Sequence, residues 1–378
     1  MRNPRNVPPS PANSADLFLP SDAVPLDQLR RVLVIKLRNL GDVLLTSPVF
    51  STLKSQAPRL EIDALVYADT SDMLRGHPGL SELHVIDRSW KQLGGLERLK
   101  REVQLLSRLR QRNYDLILHL TDHVRGVWLS RLLRPRYSVA PDVRSRKFYQ
   151  ASFTHLYPVV GGNRRHTVEI HLDALRRLGI YAEKTGRRLT LVPGNAAYTA
   201  VDQALARHGL AERSFLLIHP GSRWFFKCWP PDRVAALCGS LVARGKRVVV
   251  VCGPDPLEHR LLSEVERRAS APVTTFPGTL SLKELAALIA RARLFVGMDS
   301  APMQIAAAMG TPTVALFGPS GEIEWGPWQV PHRILTSSHP CRPCGRDGCG
   351  GGKRSECLEV IELQEVLAAV ESLLGETA

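Results

Sequence analysis

Apolar residues along this chain follow two alternating rhythms. Residues 31–36, Arg-Val-Leu-Val-Ile-Lys, form a short β-branched run. A turn over 37–41 follows, and from 42 to 55 the apolar positions recur at helical spacing, so the segment predicts strand, loop and helix. The alternation continues with a strand over 61–66, an amphipathic helix over 96–112, a strand over 115–118 and a helix over 125–133. Between 134 and 190 it weakens, interrupted by Pro135, Pro141, Pro158, Gly161 and Gly162, although 166–178 still has a helical period. It then restarts: 215–219, 247–252, 273–276, 294–296 and 313–317 read as strands separated by helical or turn-rich segments. Strands alternating with helices imply parallel sheets covered on both faces, and the break near 191–195 divides two doubly wound α/β halves. Two such halves facing each other place the carboxyl ends of both sheets, where ligands bind, across one cleft.

A length of 378 residues agrees with two cores. The expected division is a disordered tail over 1–28, a first domain over 29–190, a second over 191–362 and a C-terminal helix over 363–378 that must dock its apolar face. The tail is rich in Pro and lacks the apolar core of a secretory signal, so a cytoplasmic location and reduced thiols are expected. Charge sharpens the division. Residues 1–190 hold 31 Lys or Arg against 18 acids, whereas the remainder holds 19 against 18. The first half therefore either faces something polyanionic (nucleic acid, an anionic membrane or a phosphorylated substrate) or carries a solvated basic surface. The basic residues fall on separate helices and loops with few aromatics between them, so no nucleic-acid module is expected. In the helix over 96–112, Leu96, Leu99, Val103, Leu106 and Leu109 are expected to pack inward, with Arg98, Lys100, Arg101 and Arg108 outward.

Three strand-to-helix junctions carry candidate chemistry. Gly41-Asp42 lies in the first turn, and on spacing alone Asp42 either caps the next helix or offers a carboxylate to the cleft. Neither a dinucleotide fingerprint nor a P-loop is present. The run His219-Pro-Gly-Ser-Arg-Trp-Phe-Phe-Lys-Cys-Trp-Pro230 makes a basic, aromatic loop in which Arg223 and Lys227 can neutralise phosphate. Near 296–310, Asp299 or Ser300 can cap a helix that begins with Ala301 and Pro302, and such a helix start is a ready anion site.

Taken in order, Gly41-Asp42, His219-Pro-Gly-Ser222 with Lys227-x-Trp229-Pro230, Asp299-Ser300-x-Pro302 and Leu316-Phe-Gly-Pro319 with Trp325-Gly-Pro327 resemble glycosyltransferase family 9. The likeness spans nearly all the chain beyond the tail, and the segment from His339 to Leu358 resembles that of the heptosyltransferase III subfamily, which adds a branch heptose to the inner core of lipopolysaccharide. The resemblance implies a GT-B fold of two Rossmann-like domains. It implies an ADP-L-glycero-D-manno-heptose donor bordered by Gly41, Ser222, Arg223, Gly253, Asp299, Ser300, Ala301, Pro302 and Gln304. The acceptor it implies is a phosphorylated heptosyl-Kdo-lipid A on the first domain, reached from the inner face of the inner membrane with peripheral contact to its anionic surface.

In this scheme Asp42 is the base that deprotonates the acceptor hydroxyl, and Lys227 with backbone N–H groups stabilises the departing diphosphate, so no catalytic cofactor is required. Two positions depart from the usual Asp-Ser/Thr-Gly-Pro-x-His pattern, with Ala301 in place of Gly and Gln304 in place of His. Gln304 can hydrogen-bond but cannot carry charge. Rival readings are heptose transfer to a protein or an O-antigen sugar, and a silent protein that binds sugar nucleotide or lipopolysaccharide. Finally, Cys341, Cys344, Cys349 and Cys357 crowd a Gly-rich loop within 339–358. They either remain reduced thiols or form a tetrahedral structural site for zinc or iron.

Overall fold

The computed structural model describes residues 20–143 and 147–377. In the first half, β1 (Arg31–Ile35), β2 (Glu61–Tyr67), β3 (Glu82–Ile86), β4 (Leu116–His119), β5 (Tyr137–Pro141) and β6 (His155–Tyr157) form one sheet in the order β3-β2-β1-β4-β5-β6. The second half repeats this arrangement with β7 (Phe215–His219), β8 (Arg247–Cys252), β9 (Thr274–Pro277), β10 (Leu294–Met298), β11 (Thr313–Leu316) and β12 (His332–Leu335), ordered β12-β11-β10-β7-β8-β9. Every pairing is parallel. Each sheet reverses its winding beside its first strand, between β1 and β4 and between β7 and β10, which opens a crevice at the strand ends. This is the expected α/β fold of GT-B type. None of the described helices is long and apolar enough to cross a membrane.

The helices of the first half are α1 (Leu40–Leu44), α2 (Ser47–Gln56), α3 (Gly95–Gln111), α4 (Val124–Leu133), α5 (Lys147–Gln150) and α6 (Thr167–Arg176). Those of the second are α7 (Asn195–Arg207), α8 (Pro231–Ala243), α9 (Pro256–Arg268), α10 (Leu282–Arg291), α11 (Ala301–Met309), α12 (Glu322–Trp325), α13 (Glu356–Glu359) and α14 (Leu363–Glu376). The single helix expected over 42–55 is interrupted at Leu45 and Thr46, where the Thr46 hydroxyl bonds back to the Val43 carbonyl. α14 buries Val366, Val370 and Leu373 in the second half, against the α8 side of its sheet. The first 19 residues of the expected tail lie outside the described residues. The rest of it, 20–28, is docked rather than loose: Val24 is buried, and Asp22 forms a bidentate pair with Arg177 at 2.6 and 2.8 Å.

α3 departs from its expected orientation. Leu109 is buried as expected and Leu105 joins it, but Leu96 is 88% exposed, and Leu99 and Val103 also face solvent. Only one of the two apolar stripes on this helix meets the sheet.

Candidate active site

The two sheets point their carboxyl ends into a cleft of about 1180 Å³. On its first wall the chain leaves β1 through Lys36 and enters α1, placing Asp42 in the first turn of that helix with its side chain 19% exposed. Asn39 occupies the capping position without a side-chain bond to the helix, so Asp42 is no cap and its carboxylate belongs to the cleft. Lys36 is almost wholly buried beneath it. Its ammonium donates to the Leu120 carbonyl at 2.9 Å and to His171 Nε2 at 2.9 Å, and faces Asp42 Oδ1 at 3.8 Å. His171 Nδ1 donates to the Leu45 carbonyl, which fixes the neutral tautomer. Burial pushes Lys36 down to about 8, opposed by Asp42; burial and then Lys36 hold His171 well below the ordinary imidazole value.

The second wall comes from the loops after β7 and β10. Lys227 meets Asp299 Oδ2 at 2.6 Å and lies over the Trp224 ring at 5.0 Å. Ser300 precedes α11 but neither it nor Asp299 caps the helix, which corrects the expected cap: Asp299 is committed to Lys227, and the helix start has no side-chain partner. Gly310, at φ +71°, closes the other end of α11 in the left-handed region. The Gln304 amide donates to the Trp325 carbonyl at 2.6 Å, whereas its buried Oε1 has no hydrogen-bond partner among the described residues.

The two walls touch. Arg223 donates to Asn39 Oδ1 at 2.7 Å, and a methyl group added at Gly41 would contact Gln304 Cγ at 3.6 Å and the Ala301 Cα at 3.9 Å. The turn that holds Asp42 thus abuts the start of α11.

All eleven expected catalytic and donor-side residues line this one cleft: Gly41, Asp42, Ser222, Arg223, Lys227, Gly253, Asp299, Ser300, Ala301, Pro302 and Gln304. The sequence reading missed Lys36 and His171, which approach from elements 135 positions apart. Glu258 was also missed, and His219 was read only as part of its loop, with no role of its own. The Glu258 carboxylate accepts from the Gly253 N–H at 2.7 Å and lies 3.6 Å from His219 Nε2, while burial drives His219 below its ordinary value against the pull of Glu258. Gly221 permits this approach, since a Cβ there would stand 2.6 Å from Glu258.

The cysteine loop contributes Cys344 to the cleft wall, while Cys341 is exposed and Cys357 is buried. A tetrahedral thiolate site needs sulfurs about 3.8 Å apart, from metal–sulfur bonds of about 2.3 Å. Among the described residues no three of these thiols lie within 4.8 Å of one another, so as placed they do not form such a set. Asp63, Glu82 and His84 do lie that close, but Asp63 accepts from Arg112 and from the Tyr114 hydroxyl, both at 2.7 Å, and the group is an ion-pair network.

A family model described as glycosyltransferase family 9 (heptosyltransferase) matches residues 103–353. Lipopolysaccharide heptosyltransferase 3 of Escherichia coli is 35% identical over 337 residues, covering 88% of this chain and 96% of that protein. Among solved structures, the family 9 glycosyl transferase of Veillonella parvula DSM 2008 superposes with a TM-score of 0.80 at 24% identity, covering 94% of this chain and all of that one. The E. coli heptosyltransferase WaaC with ADP superposes with a TM-score of 0.70 at 18% identity, covering 92% of this chain and all of that one.

Proposed function

The chain belongs to glycosyltransferase family 9, and from that premise we propose that it transfers L-glycero-D-manno-heptose from ADP-heptose to an inner-core heptose of lipopolysaccharide, with inversion. The observation that carries this reading is the contact between the Asp42 turn and the start of α11, beside the Lys227–Asp299 pair. A proton acceptor and an anion site therefore share one cleft, as in-line displacement of a diphosphate requires.

Asp42 takes the proton of the acceptor hydroxyl as its oxygen attacks the anomeric carbon. The bond to the ADP oxygen breaks on the opposite face. Lys227 and the uncapped N–H groups at the start of α11 receive the charge that gathers on the diphosphate. Lys36 holds Asp42 from below without touching substrate. Fixed protein charge thus does what a divalent cation does in other transferases, and no metal is assigned to the reaction. The acceptor is lipid-borne, a phosphorylated heptosyl-Kdo-lipid A, which puts the chain at the cytoplasmic face of the inner membrane.

Two measurements test the proposal. Mass spectrometry of core oligosaccharide from cells lacking the gene should show the loss of one heptose, restored by the wild-type chain but not by Asp42→Ala. In vitro, Asp42→Ala should cut turnover by about 10²-fold or more while ADP binding changes little. An intact core in the deletion strain, or undiminished turnover in the variant, would overturn it.

A further inference from the structure

We propose that the outward face of α3 and α4, extended by Phe148 of α5, is the surface on which this chain rests against an anionic lipid bilayer. The inference rests on the lipid-borne acceptor proposed above and goes beyond it by naming the contact. The two helices lie side by side, with Arg125 bidentate to Glu102 at 2.6 and 2.8 Å. α4 packs Gly126, Val127, Leu129 and Ser130 inward, and α3 packs Leu105 and Leu109 inward. Among the basic residues that remain outside stand exposed apolar ones. Val124, Trp128 and Leu132 recur every four residues along one stripe of α4, and Leu99 and Val103 stand on α3. Together with Phe148 these six side chains are each between 42 and 59% exposed.

The Trp128 and Phe148 rings lie 5.6 Å apart, and the Arg131 guanidinium sits 4.2 Å from the Phe148 ring centre. This joins the stripe to α5. Just before α5 in the chain, Pro141 and Val143 line the cleft, so the face begins beside the cleft wall.

Charge chooses the occupant. α3 carries five basic residues against Glu97 and Glu102, and both acids are already paired, with Arg101 and Arg125. α4 adds two basic residues and no acid, and α5 adds Lys147. A second protein surface would have to supply its own acids at matching positions. A bilayer of anionic headgroups supplies them everywhere, and its interfacial zone accepts Trp, Phe and Leu side chains while Arg and Lys extend to the phosphates. The apolar residues therefore give the contact a component that salt does not screen, and the basic rim gives it one that salt does.

The test uses the full chain and vesicles of phosphatidylcholine with or without phosphatidylglycerol. Wild-type protein should sediment with the mixed vesicles far more than with phosphatidylcholine alone. Val103→Ser/Trp128→Ser/Phe148→Ser should weaken that binding by about tenfold or more, while ADP affinity and transfer to a deacylated, water-soluble acceptor stay at wild-type levels. Brominated acyl chains should quench a fluorescence component that Trp128→Phe removes.

Four results would overturn the assignment. They are equal sedimentation of the triple variant, equal binding to both vesicle types, no quenching assignable to Trp128, and a solution dimer that the triple substitution dissociates. Absence of transfer to the soluble acceptor by wild-type protein would instead overturn the proposed reaction and leave the vesicle result standing.

Discussion

Lys227 and Asp299 are held 2.6 Å apart where a diphosphate is proposed to sit, so removing the cation leaves an unpaired carboxylate facing the ligand. Lys227→Ala should therefore lower kcat/KM by about 10²-fold, as removal of one charge-stabilising donor does elsewhere. Lys227→Ala/Asp299→Asn should recover part of that loss, because the repulsive charge goes too. Equal defects in the single and double variants would mean that Asp299 does not act on the ligand. Lys36 gives a different signature. Its value of about 8 leaves it charged below that pH and neutral above, where the ion pair facing Asp42 disappears. The rate should accordingly fall on the alkaline side with an apparent pKa near 8, and Lys36→Met should show a low, flat profile across that range. An unchanged alkaline limb in Lys36→Met would assign it to another group. Sequence made Asp42, Lys227 and Asp299 legible because each sits at a strand-to-helix turn, a local pattern. Lys36, His171 and Glu258 escaped, and His219 went without a role, because the contacts Lys36–His171 and His219–Glu258 join separate elements. Lys36 in particular ends an apolar strand where a Lys normally reaches solvent.

At the scale of elements, α4 can lie close to β4 because Gly126 has no side chain. A Cβ there would fall 2.0 Å from the buried His119 ring, which stacks on Phe153 at 5.6 Å. Gly126→Ala should destabilise the first half by about 1–3 kcal/mol, visible as a lower melting temperature with the ADP affinity of the folded protein retained. A melting temperature at or above wild type would show that the helix can shift without cost. The strands most legible in sequence were β7 and β8, continuous apolar runs buried on both faces whose limits matched the pattern. β3, β5 and β6 escaped because they lie toward or at the sheet margins, where half the positions are polar, as in Glu82-Leu83-His84, or proline intervenes. α3 was legible as a helix but not in its orientation. It carries two apolar stripes, and only the tertiary structure decides that Leu105 and Leu109, rather than Leu96 and Leu99, meet the sheet.

Among the described residues, four imidazoles besides His219 are buried and held toward the neutral form. Burial pushes His77 and His166 down to about 4 and His119 to about 3, and holds His171 well below its ordinary value. As pH drops below about 6.5 the unfolded chain binds protons on these rings while the folded chain refuses them, so stability falls with pH by about 1.4 kcal/mol per unit for each ring. Melting temperature should therefore decline steeply from pH 7 to 5, a range in which titration of ordinary carboxylates alone would leave it nearly level. His166 adds a local cost, since its Nε2 donates to the Gly326 carbonyl and its ring stacks on Trp328 at 4.3 Å, tying the two halves together. The covalent link between those halves is simpler. All six strands of the first sheet lie within residues 31–157 and all six of the second within 215–335, and α14 stays with the second. No strand of either sheet waits for a partner from the other half of the chain. During synthesis the first sheet can thus close while the second is still being translated, and the half that bears the α3–α4 face leaves the ribosome before the Lys227 loop and the α11 start that would hold the diphosphate.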